Sequence, residues 1–186
     1  MPENPRLRPD LDKPCNHFEL RVENCSEHGK RTTDGKLSLH PEIWVDRQHI
    51  DEPHFIDLPL LVQSLHVQGW YEIFTCGCGV AGCAGIVEGI HVTHDAGLTR
   101  WSFRRPQSAG TLSDSALKKW QQTALPFGMT FDRAQMVKAI RDYLDAVRTL
   151  ISAQPSRFDW PVHGLSVSDV LRMDPGKPFY AIKNGK

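Results

Sequence analysis

The chain has 186 residues, with 22 basic and 22 acidic side chains that cancel to a formal net charge of zero. That length fits one ordinary domain with a modest extension, and 40% hydrophobic with 24% charged residues is a globular composition rather than a disordered or fibrous one. A neutral chain lacks the usual electrostatic footprint for nucleic acid or an anionic membrane, and no stretch approaches the roughly 18 apolar residues of a membrane span.

Residues 1–14 carry four prolines, six charges and no apolar run, so they are expected to form a flexible arm without a secretory signal. The five cysteines are an odd number, which argues against a disulfide framework. Together these features predict a cytoplasmic protein. From His17 to Glu23 the residues alternate, with Phe18, Leu20 and Val22 on one face, which predicts a strand. Lys36 to Val45 reads as a second strand broken near Pro41. Asp46-Arg47 turns it back into a short run, Gln48 to Ile50.

Asp57-Leu58-Pro59 opens a helix, with Asp57 as cap and Pro59 in the first turn, where a missing N–H costs nothing. Leu58, Leu61, Val62 and Leu65 share one face, and Gly69 is the expected stop. Three strands follow, Trp70–Thr75, Ile86–Thr93 and Leu98–Phe103, with Asp95-Ala96-Gly97 as a hairpin turn. Residues 104–110 read as a loop and 114–122 as a short helix. The clearest helix runs from Arg133 to about Ser152, with its apolar stripe from Met136 to Ile151 facing a core. Asp132 caps it, Gln135 can complete a capping box, and Phe131 can staple onto Met136. A last short helix, Val167–Met173, carries Ser166 as cap and Asp169 three residues on.

Strands, helix, strands and a long helix do not alternate as a doubly wound sheet would. The order predicts an α+β fold: a mostly antiparallel sheet of about five or six strands, with the long amphipathic helix packed on one face. The expected organisation is an arm (1–14), a single domain (15–152) and an extension with a short helix (153–186).

One segment carries chemistry. Residues 75–85 hold Cys76, Cys78 and Cys83 among four glycines. Cysteines one residue apart on an extended chain have Cα atoms roughly 6.5 Å apart. Two thiolates on tetrahedral zinc bind at about 2.3 Å each, so the chain would have to curl, as Gly77 and Gly79 permit. A closed zinc site needs a fourth ligand. His91 and His94 follow on the next strand, three residues apart and therefore on opposite faces, and His91 is taken as the ligand. His66, Cys15, His17, Cys25 and His28 are more distant candidates. Two other readings remain open: small buried thiols in a glycine-rich turn, or a redox or nucleophilic cysteine with His91 or His94 as base. The segment also matches G-x-G-x-x-G, but the sequence after it is strand-forming, and a phosphate loop requires a helix there.

Elsewhere, Arg100, Arg104 and Arg105 near Trp101 and Phe103 read as solvated arginines at a strand end. No H-E-x-x-H, G-x-S-x-G or P-loop lysine motif is present.

The C-x-C-G-x-x-G-C turn, the Trp101 strand and the helix start Phe131-Asp132-Arg133-Ala134-Gln135 together resemble a widespread group of uncharacterised bacterial proteins, over roughly residues 36–145. The resemblance implies a bacterial source and an unknown activity, and it adds no catalytic residues. The resulting expectation is a non-enzymatic protein with a structural zinc in the cysteine turn and a surface for a protein partner, by analogy of immunity or accessory type. The alternative is a thiol-dependent or redox enzyme using the same turn.

Overall fold

The computed structural model describes residues 15–22, 37–38, 41–50, 55–75, 89–103, 128–153, 158–159 and 166–179. Alternating apolar residues build its first strand, β1 (Phe18–Val22), in which Phe18 and Leu20 are buried. Two strands fall in the stretch read as broken near Pro41, β2 (Leu37–Ser38) and β3 (Pro41–Val45), which pair in different sheets; residues 39–40 between them lie outside the described residues. Pro41 stands at the first position of β3, where an absent N–H is tolerated. Asp46 (φ 48°) and Arg47 (φ 68°) reverse the chain into β4 (Gln48–His49). Two consecutive positive φ angles define the type I′ turn, whose twist suits a hairpin. The Asp46 carboxylate accepts from the backbone of His17 at 2.9 Å and from Asn16 Nδ2 at 2.9 Å, which ties this turn to the lead-in of β1. The sheet order is β1-β3-β4, all antiparallel.

After β5 (Phe55–Ile56) comes helix α1 (Leu58–Ser64). Asp57 Oδ1 accepts the Leu60 N–H at 3.0 Å, as the sequence suggests, and Leu58, Leu61, Val62 and Leu65 are wholly buried. Gly69 is not the stop. The helix ends with Leu65 in right-handed geometry, and Gly69 (φ 154°) instead begins β6 (Gly69–Tyr71).

The segment expected as one strand, Trp70–Thr75, is two. β6 pairs with β8 (Ile90–Asp95), whereas β7 (Phe74–Thr75) pairs with β5. A two-residue turn at Ala96 and Gly97, both at positive φ, joins β8 to β9 (Leu98–Phe103). β10 (Gly128–Asp132), which the sequence reading misses, completes an antiparallel sheet in the order β10-β9-β8-β6.

The long helix is α2 (Arg133–Ala153). Met136, Ile140, Tyr143, Leu144, Val147 and Ile151 are buried on its inner face, whereas Leu150, placed on the same stripe from sequence, is 39% exposed. β11 (Phe158–Asp159) lies parallel to β2. Last comes α3 (Val167–Leu171), where Ser166 and Asp169 form a reciprocal capping box. Val170 and Met173 join the main core, and Arg148 of α2 donates to the carbonyls of Leu171 and Met173, so residues 166–179 pack on the domain.

The fold is therefore α+β with antiparallel sheets, the β11-β2 pair apart, and one long helix. The described strands fall into sheets of four, three, two and two, so a single sheet of five or six is not seen among them. The helix of residues 114–122 and the arm of residues 1–14 lie outside the described residues.

Gln135 departs from expectation in an informative way. Asp132 Oδ1 caps the helix through the Gln135 N–H at 2.7 Å, but the Gln135 side chain does not return to close a capping box. It reaches β1 instead: its Oε1 accepts from Phe18 N at 3.2 Å and its Nε2 donates to Phe18 O. A β1 backbone that faces helix rather than strand is thus satisfied on both its groups. Gln135→Ala leaves both without a partner and is expected to cost about 1–3 kcal/mol. Lys138→Ala, which removes only an exposed ion pair to Asp142, is expected to cost less than about 0.5 kcal/mol. Urea denaturation of the two variants checks the difference.

Candidate functional site

The cysteine turn is the one segment with concentrated chemistry, and Cys76, Cys78 and Cys83 lie outside the described residues. Its two anchors are described. The chain leaves at Thr75, buried and paired with Phe55, and returns at Gly89 beside Tyr71. Gly89 sits at φ 70°, and a Cβ there would stand 2.6 Å from the Tyr71 carbonyl oxygen. No L side chain fits both constraints, so glycine is required for the chain to enter β8 in register.

Two residues later, His91 lies on the face of the four-stranded sheet that points away from the core. The register aligns Trp70, His91, Ser102 and Gly128 in one row across four strands. The His91 ring packs on Trp70, with centroids 4.8 Å apart and planes tilted by 37°, and Trp70 is 45% exposed. Ile90 and Val92, on the opposite face, are wholly buried. His94 shares their side of the strand. Its Nε2–H donates to the Ser64 carbonyl at 2.8 Å, and its backbone N–H donates to Gln68 Oε1 at 3.1 Å. The two histidines therefore do face opposite ways, as their spacing of three requires.

The remaining ligand candidates disperse. His66 bonds the Pro175 carbonyl through Nε2 at 2.9 Å. Cys15 is a free, half-buried thiol, and His17 lies 3.3 Å from Glu19 at the start of β1. Cys25 and His28 lie outside the described residues. Among the described residues, no group of three or more His, Cys, Asp or Glu side chains is arranged to hold a metal ion. His91 is thus the one member of the expected ligand set whose position is described, and the sheet separates it from His94.

A second ordered surface lies on the outer face of β1-β3-β4. The Arg21 guanidinium stands 4.1 Å over the Trp44 ring, which stacks on His49 at 5.3 Å and 11°. Trp44 Nε1 donates to Glu42 at 3.0 Å, and Arg21 makes two bonds to one Glu19 oxygen. A cation over an indole and a satisfied indole N–H hold both large side chains in place without burying them. Sequence reading assigned these residues no joint role, although Arg21 and Trp44 fall on outward positions of alternating strands.

Comparison with protein-family models, with curated proteins and with solved structures returns no match for the chain. The bacterial resemblance rests on its three motifs alone. No helix among the described residues is long and apolar enough to cross a membrane.

His94 carries a pH dependence. Desolvation lowers its pKa from the ordinary 6.5; the bond to Ser64 opposes this, and Arg133 and His66 reinforce it. A folded-state pKa below the unfolded one means that protonation disfavours the fold. The native state is free of this penalty above 6.5 and loses stability as pH falls from 6.5 through the folded pKa. In His94→Gln this acid loss is expected to shrink relative to wild type, as followed by urea midpoints across that range. Gly89→Ala is expected to destabilise by about 2 kcal/mol or more at every pH, from left-handed strain and backbone overlap together. The same urea series tests it.

Proposed function

We propose that the protein is a non-enzymatic, cytoplasmic protein whose cysteine turn holds a structural zinc ion through Cys76, Cys78, Cys83 and His91. The observation that carries this reading is three thiols within eight residues, followed by a histidine on the next strand. Thiolates and imidazole are the donors that tetrahedral zinc prefers, and four such ligands close the site against catalysis. The position of His91 supports it as the fourth ligand. It is two residues beyond the anchored Gly89, on the outward face, with its ring oriented by Trp70. His94 is passed over because it stands on the opposite, core-facing side of the strand from His91, where its Nε2–H donates to Ser64. The ion would hold the connection between β7 and β8 together, as crosslinks do in small loops.

In this reading the protein acts through its surface by binding a protein partner, of immunity or accessory type by analogy. The fixed Arg21–Trp44–His49 stack supports it, because tryptophan and arginine held rigid before binding are the residues that dominate interface energetics.

Elemental analysis of untagged protein is expected to give about one zinc per chain, with three thiols that resist alkylation until a chelator is added. Cys78→Ser is expected to lose zinc and thermal stability together. A metal-free protein with a single hyper-reactive thiol would instead favour a thiol-dependent enzyme. A metal-free protein with unreactive thiols would leave them as packing residues.

A further inference from the structure

We draw no further inference here: the strongest candidate, the outward face of the four-stranded sheet where Trp70 packs on His91 and the exposed Arg100 stands one row away between Thr93 and Thr130, carries nothing because nothing in the structure shows what covers it.

Discussion

The fold is organised around the indole of Trp101. This side chain is wholly buried in the centre of the four-stranded sheet and meets three phenylalanine rings edge-on: Phe131 at 5.1 Å, Phe18 at 6.0 Å and Phe74 at 6.3 Å. Each ring comes from a different strand: Phe131 from the same sheet, Phe18 from the three-stranded sheet and Phe74 from the β5-β7 pair. Edge-to-face pairs of this kind add about 0.5–1.5 kcal/mol each beyond burial. Their larger effect here is geometric, because one side chain fixes the relative position of three separately hydrogen-bonded units. The Gln135 link to Phe18 acts beside this junction, setting the long helix against the strand that carries one of the rings.

Local periodicity made most elements legible. β1, β9, α2 and the two turns at Asp46-Arg47 and Asp95–Gly97 were readable because their patterns depend on nearest neighbours and turn chemistry. What was lost involved distant partners. Tyr71 and Phe74 look like one strand until it is known that Tyr71 pairs with Ile90 and Phe74 with Ile56. β10 offers only Met129 and Phe131 as alternating apolar residues, too few to signal a strand before its partner β9 is in place. Gln135 fits a local capping pattern, yet its actual partner is 117 residues away. In each case a long-range contact overrides a plausible short-range one.

The site was legible to a different degree. That His91 and His94 face apart follows from the two-residue period of a strand, and the structure agrees. The engagement of His94 and His66 was not readable, because each binds a backbone carbonyl, and carbonyls leave no mark in a sequence.

The four-stranded sheet has two unlike poles. At one, β8 and β9 are joined by a two-residue reversal, and Arg133 is bound to that reversal through Gly97. At the other, the chain re-enters after the thiol segment at Gly89, leaves after Phe103, and comes back at Gly128 after 24 intervening residues. Lengthening a connection that is already long adds little to its closure entropy, whereas altering a two-residue turn disturbs every register that depends on it. Sequence drift can therefore accumulate at the pole with the long connections while the pole at the two-residue turn stays fixed. Related chains, once aligned, should differ most in length beside the thiols and least around Ala96.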